Sequence, residues 1–204
     1  TTDAAPATEL KQQTLQNVPL LNERFQEALP LVPGVVRGPD GKINIKGARA
    51  SQSGLMVNSA NVTDPVTGEF AINLPIDAIE SVQVLTNPYA PEYGKFSGGI
   101  TSIETRRGSD EWKVRAQNFF PRVRRRDGSF LGLGAVTPRV TFGGPLLKDK
   151  VQFFQSLEYR FVRTEVEVDT LPPLNRDRKL ESFDSISRLD WDIDATNHLT
   201  TSFS

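Results

Sequence analysis

The run PIDAIESVQVLTNPYAPEYGKFSGGITSIET, residues 75–105, constrains the fold more than any other stretch of the chain. Pro75 stands where a helix start loses nothing by a missing N–H. Ile76 and Ile79 lie three apart and share one face of a helical turn. Val82, Val84 and Thr86 alternate with Ser81, Gln83 and Leu85, the period of a strand. Pro88 and Pro91 bracket a second short turn that carries Tyr89 and Tyr93, with Phe96 just beyond. Gly98-Gly99 then breaks the chain, and Ile100, Ser102 and Glu104 alternate with Thr101, Ile103 and Thr105. Such a unit exposes apolar residues that further elements must cover.

The preceding residues supply those elements. Residues 1–8 are small and polar, and 1–14 read as a flexible lead-in. Leu10, Leu15 and Val18 begin an apolar pattern. Asn22 fits a helix N-cap for ERFQEALP, with Phe25, Ala28 and Leu29 at helical spacing. Pro30, Pro33 and Gly34 end that helix, and Pro39-Asp40-Gly41 supplies turn chemistry. Ile43, Ile45 and Gly47 alternate as a strand, and Leu55–Val57 suggests another. Helices on one small mixed sheet give an α+β domain of about 100 residues, large enough for its own core.

Several motifs in this half, taken in order, resemble the plug domain of TonB-dependent outer-membrane receptors. The helix, strand, Tyr93-Gly94, Gly98-Gly99 and closing strand follow that family's order. LPLVPGVV at 29–36 and INIKGARASQSGLMVNSANVTD at 43–64 are similar to its earlier motifs. Lys46 stands where the family has Arg, and Asn58-Ser59 replaces its Asp-Gly turn. Asn tolerates a left-handed backbone, so Asn58 still suits the turn. The resemblance covers residues 15–107 and marks Gly47, Asn58, Gly98 and Gly99 as turn or gating positions. It also sets Tyr89, Tyr93 and Phe96 near a ligand-facing apex, against the plainer reading of three packed aromatics.

Residues 108–204 read as strands without helix. Around Trp112–Ala116, Val136–Phe142, Phe153–Phe161, Arg188–Ile193 and Leu199–Phe203, apolar and polar side chains alternate. The intervening gaps run long, short, long, short (117–135, 143–150, 162–184, 194–197), as in outer-membrane barrels. GGPLLKDKVQFFQSLEYR at 143–160 resembles a hairpin of the Oar-like branch of the same family. The second half is thus expected to hold about five strands of a transmembrane barrel. Plugged transporters have about 22 strands, so the barrel is incomplete and the chain reads as the front of a longer protein. The resemblance implies that Lys113, Arg115, Arg139, Glu158, Arg160, Arg188, Asp190 and Asp192 face the lumen.

Composition excludes little. The 24 basic and 25 acidic residues nearly cancel, so no nucleic-acid partner is implied. There are no cysteines, hence no disulfides. No apolar run approaches the roughly 20 residues of a membrane helix, which barrels do not need. No signal peptide opens the sequence, which suits a chain whose first residue lies inside a precursor.

Catalytic and metal constellations are thin, and neither an enzyme nor a cofactor is expected. His198 and Ser202 lack an orienting acid, so His198 reads as a turn residue. Asp190, Asp192 and Asp194 have the spacing of a calcium loop, but Ala195 and Thr201 replace its Gly and Glu. Arg122, Arg124, Arg125 and Arg126, beside Phe119 and Phe120, read as an external loop near anionic lipid.

The resemblance implies energy-coupled uptake across the bacterial outer membrane. An energy-transducing TonB-type complex would act through a box before residue 1, on an unnamed substrate. The competing reading is a soluble, secreted or periplasmic ligand-binding module with an α+β half and a β-sandwich half.

Overall fold

A computed structural model describes residues 7–18, 24–39, 41–64, 67, 72–86, 96, 98–126, 129–165, 177–194 and 196–204. The chain divides into two compact units, Thr1–Arg106 and Arg107–Ser204.

The first unit contains β1 (Ala7–Lys11), α1 (Gln12–Asn17), α2 (Phe25–Ala28), β2 (Val35–Arg37), β3 (Ile43–Ile45), β4 (Gly54–Val57), β5 (Ala60–Asn61), β6 (Ile79–Leu85) and β7 (Ile100–Thr105). Its main sheet runs β1-β6-β7-β4-β5, with β4 parallel to β7 and the other pairs antiparallel. β2 and β3 form a separate hairpin. Ile79, Val82, Val84, Ile100 and Ile103 are all fully buried, as their β-branched alternation requires, and Phe25 and Leu29 are buried with them. Among the described residues these form the heart of the core.

Three local expectations change. Residues 7–14 are ordered structure: β1 pairs with β6 from Ala7↔Leu85 to Lys11↔Ser81, and Gln12 opens α1. Leu10 and Leu15 anchor this segment, both being buried. The helix expected over ERFQEALP shrinks to α2, capped by Arg24 without a side-chain bond, and tightens into a 3₁₀ turn at Leu29–Leu31. Pro30 lacks the N–H an α-helix would need there. The turn expected at Pro75 is likewise 3₁₀, Ile76–Ala78, and β6 begins directly after it. Asn22 and the aromatic turn with Tyr89 and Tyr93 lie outside the described residues.

The second unit contains β8 (Lys113–Gln117), β9 (Arg122–Arg126), β10 (Ser129–Val136), β11 (Arg139–Leu147), β12 (Val151–Glu165), β13 (Asp177–Asp192) and β14 (His198–Phe203). All described pairings are antiparallel. The seven segments resolve into five ribbons. β10 and β11 hold one register against β12: Val136 faces Phe161 and Arg139 faces Glu158. Between them the Tyr159 amide donates to the Pro138 carbonyl at 3.1 Å, while Pro138 has no N–H to return. β8 and β9 continue one another along the same neighbour, around a break at residues 118–121 where Asn118 takes φ 56°. The gap expected at 117–135 is therefore mostly strand, and the basic run is β9 rather than a loop.

The connection between β13 and β14 shows why it is tight. The Asp194 carboxylate accepts from the Asn197 amide side chain and N–H and from the Thr196 N–H and hydroxyl, at 2.7–2.8 Å. These bonds, the Asn197 side chain foremost, hold its carboxyl well below the usual carboxylate range. The depressed folded pKa means that the turn's stabilisation is full above the unfolded value of about 3.9 and fades as pH falls through the folded one. Amide exchange at Thr196 and Asn197 should accordingly quicken only in strong acid. In Asp194→Ala it should be fast at neutral pH.

Candidate functional site

Two regions carry the positions singled out by the sequence, one in each unit. In the first, Gly98 and Gly99 thread the chain into β7. The Gly98 amide donates to the Gln52 carbonyl and the Gly54 amide to the Gly99 carbonyl, both at 2.9 Å. A Cβ on Gly98 would lie 2.7 Å from the Ala48 Cβ and 2.8 Å from the Ser53 hydroxyl, and one on Gly99 would overlap Ile45. The pair is needed for close approach rather than for positive φ, which neither adopts. Gly98→Val should cost about 1–3 kcal/mol by overpacking. A lowered urea midpoint with an unchanged m-value would register it.

Asn58 adopts φ 47° and Ser59 φ 68°, so the replaced turn keeps its left-handed form. The Asn58 side chain does more than turn the chain. Its Nδ2 donates to the Thr105 hydroxyl at 2.8 Å and its Oδ1 accepts from the Thr105 N–H at 3.0 Å. Asn58 thereby ties the β4–β5 turn to the last residue of β7, a link that no local pattern signals. Gly47 leaves the strand in which alternation set it: β3 ends at Ile45, and Lys46 and Gly47 turn with φ 50° and 75°. Phe96 is half-buried, its ring packed where a Gly54 side chain would stand. That position fits the packed-aromatic reading of Phe96.

In the second unit, register assigns side chains to faces. Trp112, Val140, Phe153, Tyr159, Phe161, Leu189 and Trp191 share one face, continued by Val114, Phe142, Leu157 and Phe183. Lys113, Arg115, Arg139, Glu158, Arg160, Arg188, Asp190 and Asp192 lie on the other. Burial is inverted relative to a water-soluble sheet. Trp112 is 54% exposed, Val114 72% and Phe183 66%, whereas Glu158, Arg160, Arg188 and Asp190 are each 3% exposed. Lys113, Arg115 and Asp192 differ from their row in being exposed.

The buried charges pair along their own strands. Arg160 Nη2 meets Glu158 Oε1 at 2.8 Å, and Arg188 grips Asp190 with Nε and Nη2, both at 2.9 Å. Residues two apart on a strand share a face, which makes these pairs geometrically natural. Thr200 adds a 2.8 Å bond to Asp190. His198 is a strand residue opposite Asp192, to which its Nδ1 is bonded, with Thr200 3.1 Å from Nε2. Ser202 plays no part in that arrangement. Pairing β13 with β14 across a turn at 193–197 would have brought Asp192 and His198 together from sequence. Asp190 and Asp192 stay on β13 while Asp194 caps the turn, and no metal-ligand cluster is gathered among the described residues.

A family model described as the TonB-dependent Receptor Plug Domain matches residues 2–101. The chain carries a TonB-dependent receptor plug domain over those residues. It is 29% identical over 154 residues to the TonB-dependent transporter Oar of Myxococcus xanthus, covering 68% of this chain and 14% of that one. The siderophore receptor PirA of Acinetobacter baumannii superposes with a TM-score of 0.70 at 23% identity, over 96% of this chain and 31% of that one. The outer-membrane transporter YddB of Escherichia coli gives 0.70 at 14% identity, over 96% and 32%. The chain thus spans a small part of these relatives, which are receptors and transporters rather than enzymes. Its fold is a receptor plug followed by antiparallel strands, which do not close into a ring among the described residues.

Proposed function

We propose that this chain is the gate and the first wall section of an energy-coupled importer. The inverted burial of the second unit carries the reading. A sheet that exposes Trp112, Val114 and Phe183 while burying two Arg–carboxylate pairs suits lipid on one side and a polar lumen on the other. In that arrangement the eight charges from Lys113 to Asp192 face the lumen, and the plug occludes it. A TonB-type complex displaces the plug from the inner-membrane side. No covalent chemistry is required. Gating exchanges polar contacts for contacts with water, which differ little in free energy.

The substrate class is tested by growth. Deleting the receptor and disabling the energy transducer should abolish use of the same nutrient in a panel of ferric chelates, cobalamin, glycans and peptides. Removing residues 1–106 from the full-length receptor should admit large hydrophilic antibiotics that an intact outer membrane excludes. Unchanged antibiotic resistance with the barrel still in the membrane would contradict the gating role.

A further inference from the structure

Resting on the gate-and-wall reading, we infer that residues 108–112 are a strap fixed to the wall, which leaves the gate a single joint at Arg106 and Arg107. The plug is held up to the end of its last strand. Thr105 is bonded to Asn58 through both its N–H and its hydroxyl. The Arg106 amide donates to the Ala78 carbonyl at 2.8 Å. The Arg106 side chain also serves the first unit, where Nη1 donates to the Asp77 carbonyl at 3.5 Å and Nε lies 3.9 Å from the Glu80 carboxylate. Arg107 serves the second unit, where its charge acts on Asp190 of β13. The division of the chain falls between these two arginines.

Beyond Arg107 the chain is fastened at three points. Gly108 crosses β12 so closely that a Cβ would stand 2.6 Å from the Phe153 carbonyl oxygen and 2.8 Å from the Phe153 nitrogen. Those atoms belong to a strand paired on both sides, with Gly144 and Leu189, so they cannot give way and only glycine passes there. Asp110 accepts from Gln152 Nε2 at 3.0 Å. Trp112 covers Gly144, where a Cβ would come within 2.6 Å of the indole. Gly144 is itself the β11 partner of Phe153, so the first and third fastenings grip the same step of the ladder. The strap then enters β8, whose Lys113 pairs with Gly143. Each of these contacts lies within the second unit, so none of them requires the plug to stay packed.

A chain pulled straight gains at most about 3.3–3.6 Å per residue. With Gly108 fixed, Thr105 stays within roughly 10–11 Å of it, however far the rest of the plug moves. Displacement of the plug is then a swing about a fixed point, with the strap left on the wall.

The test uses the full-length receptor in detergent, freed of any other cysteine and carrying nitroxide pairs read by double electron–electron resonance. Labels at Glu111 and Thr164 report on the strap, and labels at Glu104 and Thr164 on the plug. Val84→Asp loosens the plug without touching the strap. In that background the Glu104–Thr164 distribution should lose its single narrow peak, while the Glu111–Thr164 peak keeps its wild-type position and width. Adding Gly108→Val, or the milder Asp110→Ala, should broaden the Glu111–Thr164 peak as well. A strap peak that broadens in Val84→Asp alone, or stays sharp in both strap variants, would overturn the strap. A plug pair that stays narrow after the β6 amides have lost exchange protection would overturn the joint. These distances are independent of antibiotic exclusion, so the strap can fail while the gate is upheld, and the reverse.

Discussion

Val84→Asp should destabilise the plug by about 3–5 kcal/mol, a large share of what holds a domain of this size together. Val84 is fully buried at the centre of β6, between Thr8 of β1 and Thr101 of β7. An aspartate there would have to shed its hydration without a cation to meet it, or take up a proton, and both cost free energy. The loss of branched apolar packing adds to the penalty. Hydrogen exchange in the full-length receptor gives the readout. Amides of β6 and β7 should lose protection in Val84→Asp, while Val84→Ile, which keeps the β-branch and adds one methylene, should cost about 1–3 kcal/mol. Protection unchanged in Val84→Asp would mean that β6 is not the core strand.

Arg188→Met should be nearly as damaging, for the opposite reason. It leaves Asp190, 3% exposed, without the guanidinium that grips it through two bonds of 2.9 Å. Orphaning one member of a buried ion pair costs about 3–5 kcal/mol, whereas replacing both by apolar groups is often close to neutral. The double variant Arg188→Met with Asp190→Leu should therefore recover most of the lost stability. Urea unfolding of the receptor in detergent, run as a double-mutant cycle, measures the coupling. Additive losses would show that the pair acts as two independent groups.

The core and the two faces were legible because they rest on short periods. Val82 and Val84 announce a buried strand by alternation, and the same period of two separates Phe153 and Tyr159 from Glu158 and Arg160. Less legible were features that depend on long-range pairing. β1 looked like a flexible lead-in because Ala7–Lys11 carries few apolar residues, and its order comes from the edge of β6. The basic strand β9 looked like a loop because RVRRR lacks alternation, yet it extends β8 along a neighbour already in place. Asn58 was legible as a turn residue, but its bonds to Thr105 span 47 positions. His198 met Asp192 only once the β13–β14 register was known.

These 204 residues contribute no cysteine of their own to compete with a single introduced label site. Nitroxide labels placed singly at residues 153 through 161 of the full-length receptor in bilayers report whether each side chain meets lipid-dissolved oxygen. High oxygen accessibility should alternate with a period of two, maximal at 153, 155, 157, 159 and 161 and low at 154, 156, 158 and 160. Uniform access to an aqueous relaxation agent, or the reverse alternation, would contradict a β12 that forms part of a transmembrane wall.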